Sequence, residues 1–140
     1  MSFDLPASKF SDPLITSDGS TRASVALNQL QTLWFNTGTL CNLACTNCYI
    51  ESTPTNDRLE YIRLGEVQQF LDEIQSQNLG TKEIGLTGGE PFMNPDIIPI
   101  MGAILRRGFQ LLVLTNAMRP MAKLADQLLK LQELYPQQLT

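Results

Sequence analysis

The sequence has no histidine and no fourth cysteine: Cys41, Cys45 and Cys48 are the only cysteines in 140 residues. A closed structural zinc site takes four protein ligands, mostly cysteine and histidine, so only a carboxylate could complete one here. The chain also lacks a block of basic residues. With ten Lys and Arg against fourteen Asp and Glu, its net charge of -4 argues against a phosphate-backbone partner, and nucleic acid is not expected as one. No apolar run approaches the roughly 20 residues needed to cross a bilayer. The longest, 97–105 and 109–114, are interrupted by Pro99, Gly102, Arg106 and Arg107. Residues 1–11 have no apolar stretch of the signal-peptide kind. A cytoplasmic, membrane-free location is therefore expected, in keeping with clustered thiols in a reducing compartment.

What is present suffices for one globular domain: 43% of the residues are apolar, against 17% charged and 7% aromatic. Residues 1–26, rich in Ser, Thr, Asp and Pro, read as a loosely structured leader, and 27–140 as the domain itself. Leu33–Phe35 reads as a strand feeding the loop at Asn36-Thr37-Gly38 that carries the cysteines. The loop continues through the turn formers Pro54, Asn56 and Asp57. Val67, Phe70, Leu71 and Ile74 fall at helical spacing, and 78–80 close that helix.

Ile84–Leu86 is the next strand and runs into Thr87-Gly88-Gly89-Glu90-Pro91. Asn94-Pro95 then opens an apolar helix to about Arg107, with Pro99 an awkward occupant that delays or kinks it. Gln110–Leu114 has the near-continuous apolar character of a buried parallel strand and ends at Thr115-Asn116. Pro120 opens a last helix with Met121, Leu124, Leu128 and Leu131 on one face, ending near Tyr135-Pro136. The fold class is thus α/β, built from strand–helix repeats on a parallel sheet. In such sheets every loop that follows a strand lies on one edge, so the cysteine loop, the Gly-Gly-Glu-Pro loop and Thr115-Asn116 are expected to converge.

Three thiolates at C-x3-C-x2-C spacing suit a four-iron cluster that keeps one iron free of protein ligands. A zinc knuckle, or buried structural thiols, remains the plainer alternative for the cysteines. An ordinary strand-to-helix turn is the alternative for the Gly-Gly-Glu-Pro loop. Two glycines allow close approach of the backbone to a ligand, and Glu90 offers an anion.

The run from Cys41 to Cys48, followed by Thr87–Pro91, resembles the radical S-adenosylmethionine superfamily over roughly Leu33 to Leu134. The resemblance implies that Cys41, Cys45 and Cys48 bind a [4Fe–4S] cluster. It also implies that S-adenosylmethionine chelates the open iron and is cleaved reductively to a 5′-deoxyadenosyl radical, with a low-potential electron donor as partner. Gly88, Gly89, Glu90 and Pro91 are implied as the cofactor's amino-acid contacts, and Thr115 and Asn116 as further hydrogen-bonding residues. Just before the last cysteine the family usually has an aromatic residue beside the adenine. Asn47 stands there in this chain, with Tyr49 after the cysteine, so backbone groups of Asn47 are the expected contact to the adenine edge, and Tyr49 is either a further cofactor contact or a packing residue. This form leans toward the members that mature cofactors or modify peptides, with an unknown peptide or small molecule as substrate. The implied fold is about the first half of a partial (β/α)6 TIM-like barrel. Gln110–Leu114 is then expected as a bare apolar edge, to be completed by further sequence or by a partner chain. The rival readings are a zinc or iron–sulfur module without catalysis and a non-functional fragment.

Overall fold

The computed structural model describes residues 12–140. Of the expected leader, 1–11 therefore lie outside the described residues. Residues 14–22 form a short hairpin held to itself, with an antiparallel bridge between Ile15 and Thr21 and the Arg22 N–H donating to the Leu14 carbonyl at 2.8 Å.

Three strands, β1 (Thr32–Asn36), β2 (Glu83–Thr87) and β3 (Gln110–Val113), form a parallel sheet in the order β1-β2-β3. Leu33 is paired with Ile84 and Phe35 with Leu86, while Ile84 and Leu86 are in turn opposite Leu111 and Val113. Because side chains alternate along a strand, these six share one face. That face carries the helices α1 (Leu64–Ser76), α2 (Ile97–Arg106) and α4 (Ala125–Leu134), whose buried Val67, Leu71, Ile100, Met101, Ile104 and Leu131 complete the core. Each such aliphatic side chain withdrawn from water contributes about 1.5–3 kcal/mol. The opposite face is open, and there the Trp34 ring lies over Gly85.

The expected alternation of strand and helix is present, with local differences that have physical causes. Pro91–Met93 form a 3₁₀ turn after β2, and α2 begins only at Ile97. Pro99 therefore falls within the first helical turn, where no intrahelical partner for a backbone N–H is required. The last helix is divided: α3 (Arg119–Ala122) ends at Lys123, and α4 starts afresh after Leu124.

The outer edge of β3 is not bare. Residues 138–140 lie parallel to it, with Leu111 N–H donating to the Gln138 carbonyl at 2.7 Å, Thr140 N–H to the Leu111 carbonyl at 2.8 Å and Val113 N–H to the Thr140 carbonyl at 3.0 Å. The Gln138 side-chain amide adds bonds to the carbonyls of Phe109 (3.0 Å) and Leu105 (3.3 Å). The expectation of an open edge failed because the last residues supply the missing backbone partners. Among the described residues, no helix is long and apolar enough to cross a membrane.

Candidate functional site at the strand ends

The chain leaves β1 through Thr37, whose N–H and hydroxyl both donate to the Thr87 carbonyl, at 2.7 and 2.9 Å. It then passes under the end of β2. Gly89 N–H donates to the Gly38 carbonyl (2.8 Å) and Glu90 N–H to the Leu40 carbonyl (3.1 Å). A Cβ at Gly89 would lie 2.2 Å from the Leu40 oxygen, and one at Gly88, where φ is +142°, would lie 2.7 Å from the Gly38 oxygen. The close approach expected of the two glycines is real, but its partner here is the backbone that leads into the cysteines.

A parallel bridge between Leu40 and Thr53 closes the cysteine loop at its base, with Cys41 N–H donating to the Thr53 carbonyl at 3.1 Å. Cys41 is buried, Cys48 is half-buried and Cys45 is exposed; none is in a disulfide. A turn closed by the Cys48 N–H donating to the Cys45 carbonyl (3.2 Å) joins the last two cysteines. Sulfurs receive backbone donors: Leu43 N–H to Cys41 Sγ at 3.4 Å and Ser52 N–H to Cys48 Sγ at 3.3 Å. The Cys48 thiol is held below the usual thiol range, first by the Ser52 backbone N–H and then by that of Ile50, against a desolvation cost; smaller contributions come from the Ser52 hydroxyl and the Glu51 N–H.

Glu90 is 1% exposed and its carboxylate is turned inward. One oxygen accepts from Phe92 N–H (3.0 Å), the other from Asn116 N–H (2.9 Å), and the Thr115 hydroxyl shares its proton between both at 2.8 and 3.0 Å. A buried charge needs such donors, and here they tie β2 to β3. Pro91, next in sequence, is buried and opens the 3₁₀ turn that Glu90 caps. Asn116 completes the link. Its Nδ2 donates to Asn42 Oδ1 at 2.9 Å and lies 3.9 Å from Cys41 Sγ, while its Oδ1 accepts from Met118 N–H at 3.1 Å.

The structure thus brings together Cys41, Gly88, Gly89, Glu90, Pro91, Thr115 and Asn116. Asn47 and Tyr49 stand apart on the outer surface of the loop, the tyrosine 80% exposed. Among the described residues, no three His, Cys, Asp or Glu side chains are grouped closely enough to hold a metal ion. The donor chemistry nevertheless suits an iron–sulfur cluster: three free thiols in eight residues, amide donors already on two sulfurs, and a loop fastened at its base. In a site of this kind, gathering the thiolates is coupled to binding the metal. An apolar cavity of about 600 Å³ adjoins this cluster at Phe92 and Thr115 and runs between β3 and the helices, lined by Met101, Val113, Met121 and Leu128.

Sequence reasoning missed Asn42, Ser52 and the clamp at Asn94. The Asn94 side chain is buried and donates to the carbonyls of Thr37 (3.1 Å) and Ile62 (2.9 Å), joining the start of the cysteine loop to the segment before α1. Only Asn94 carried any signal, as a residue before a helix.

Residues 35–136 match the model of the Radical SAM superfamily. The chain belongs to the radical SAM superfamily. S-adenosylmethionine and a [4Fe–4S] cluster are the cofactors that this membership implies. Among curated radical SAM relatives, the chain is 30% identical over 102 residues to the antilisterial bacteriocin subtilosin biosynthesis protein AlbA of Bacillus subtilis (strain 168), covering 73% of this chain and 21% of AlbA. It is 34% identical over 89 residues to GTP 3′,8-cyclase of Haemophilus influenzae (strain PittEE), covering 61% of this chain and 26% of the cyclase. Among solved structures, Streptococcus suis SuiB bound to S-adenosylmethionine superposes with a TM-score of 0.58 at 20% identity, over 73% of this chain and 23% of SuiB, a likeness of fold. The chain spans about a quarter of the length of these relatives.

Proposed function

We propose that this radical SAM chain is the cofactor-binding part of an enzyme in which Cys41, Cys45 and Cys48 hold a [4Fe–4S] cluster beside S-adenosylmethionine. When bound, the pair supplies reductive cleavage of the sulfonium, with an electron from a low-potential donor, giving a 5′-deoxyadenosyl radical that removes a hydrogen atom from substrate. The chain's own residues supply position. The Gly88–Gly89 backbone holds the cysteine loop against the end of β2, and Glu90 fixes Thr115 and Asn116 at the end of β3. The backbone amide on Cys48 favours the thiolate form needed for ligation. Asn47, Tyr49 and the half-buried backbone of Gly88 and Gly89, beside the buried Glu90 and Pro91, are the surfaces we assign to the cofactor.

The observation that carries this reading is the hydrogen-bonded path from Glu90 through Asn116 to Asn42, beside the first cysteine. It joins, by specific polar bonds, three loops that the parallel sheet places on one edge. We further infer that the three strand–helix units are about the first half of a partial (β/α)6 barrel, supported by 138–140 starting a fourth parallel position beside β3. The remaining strands and the substrate half come from further sequence or a partner chain. Bacteriocin biosynthesis in the name of AlbA and the nucleotide cyclisation of the cyclase support a peptide or a small molecule as substrate.

Anaerobic reconstitution with iron and sulfide tests the reading. About four irons per chain, broad visible absorption and a reduced-cluster spin signal that changes on adding S-adenosylmethionine are expected. Cys45→Ala is expected to abolish that signal. Colourless protein carrying a single zinc would instead identify a metal module without catalysis.

A further inference from the structure

Among the described residues, two buried side-chain oxygens have no hydrogen-bond partner, Ser52 Oγ and Thr81 Oγ1. Thr81 precedes β2, at the end of the sheet opposite the cysteines. Ser52 sits at the base of the cysteine loop, only 3% exposed. Its own N–H already donates to Cys48 Sγ at 3.3 Å, and the next residue, Thr53, is fixed by its bridge to Leu40 and its bond from Cys41 N–H. The serine's backbone is therefore held at the base of the loop, with its hydroxyl buried.

A buried hydroxyl left without a partner costs about 1–3 kcal/mol, and folded proteins retain few of them. Ser52 Oγ lies close enough to Cys48 Sγ to act weakly on it but makes no hydrogen bond of full geometry, which points to a better sulfur acceptor arriving with the metal. A hydroxyl donates to sulfur, either to a coordinating thiolate or to an inorganic sulfide of a cluster. Hydrogen bonds to sulfur are among the levers that set the reduction potential of such clusters, because a donor stabilises the more negative, reduced state.

We propose that Ser52 is a positioning residue of the cluster site, its hydroxyl donating to a cluster sulfur at Cys48 and raising the reduction potential. This rests on the cluster reading above and adds a role for a residue outside the cysteine motif. In practice the hydroxyl would ease the entry of the electron.

The test is a redox titration of the reconstituted full chain, followed by the spin signal of the reduced cluster, with iron counted in parallel. Ser52→Ala keeps the backbone N–H and removes only the hydroxyl. It is expected to hold as much iron as the unmodified chain and to have a more negative midpoint. Ser52→Thr, which restores a hydroxyl, is expected to return the midpoint toward its original value. Iron-replete Ser52→Ala with an unchanged midpoint would overturn the proposal. Should Ser52→Ala fail to retain iron, Ser52→Thr decides: retained iron with the original midpoint supports the hydroxyl, and loss in both variants overturns it. An unmodified chain that takes up no cluster would remove the underlying reading and this one together, an outcome distinct from two loaded chains with equal midpoints.

Discussion

Gly89 and Gly85 are both glycines with no room for a methyl group, yet they differ in what stands in the way. At Gly89 the obstruction is backbone: the Leu40 oxygen at 2.2 Å and its carbonyl carbon at 2.6 Å. At Gly85 it is the Trp34 ring, with Cε3 at 2.2 Å, on a side chain that is 44% exposed on the open face of the sheet. A ring can swing toward solvent, whereas a carbonyl paired with Glu90 N–H cannot move without parting the two loops. Overpacking costs about 1–3 kcal/mol and occasionally more, so Gly89→Ala is expected at about 3 kcal/mol and Gly85→Ala at about 1 kcal/mol in urea unfolding. Equal losses would mean that the loops are not locked together. At this scale the sequence was legible for residue types and silent about their partners. The adjacent glycines announced a close approach but not whose backbone approached, and Glu90 announced a needed anion but not that Thr115 and Asn116 would occupy it. Such pairings join residues 25 and 26 positions apart, and no local pattern encodes them.

Elements were more readable, because helical and strand periods are local. Val67, Leu71 and Ile74 are buried as their spacing requires, and Phe70, the fourth of that set, is 48% exposed but sets its ring 5.8 Å from that of Phe35. The ends of elements were less readable, since they are settled by contacts across the fold. The residue before α2, Asp96, uses its carboxylate for the start of another helix: Oδ2 accepts from Leu64 N–H, the first residue of α1, at 3.1 Å. Within α1 itself, Glu66 reaches back to the Arg63 N–H at 2.8 Å. Asp96 thus satisfies an otherwise unpaired donor and also places a negative charge at the positive end of α1. Asp96→Ala is expected to cost about 1 kcal/mol and lower the thermal midpoint. Asp96→Asn, which keeps an acceptor oxygen, should recover most of the loss. An unchanged midpoint for Asp96→Ala would show that α1 is held by its apolar face alone.

On the scale of the whole molecule, the polar connections lie at one end of the sheet and the apolar core at its helical face, so a ligand gripped at the strand ends acts on three loops together. The cysteine loop is tied to β2 through Gly38 and Leu40, and to β3 through Asn42 and Asn116. Binding that favours the folded state stabilises it by RT ln(1 + [L]/Kd), about 2.7 kcal/mol at a hundredfold excess of ligand over Kd. On the proposed function, in which a cluster iron chelates S-adenosylmethionine, the cofactor is expected to raise the thermal midpoint of the cluster-loaded chain and to leave the cluster-free chain nearly unchanged. Hydrogen exchange locates the effect. Added protection should reach the amides of Gly89, Glu90 and Asn116 as well as the cysteine loop, and should spare Lys82 and Gln110 at the opposite end of the sheet. Protection confined to 41–53 would mean that the Glu90–Asn116 link is only structural, and that the three strand ends do not act as one site.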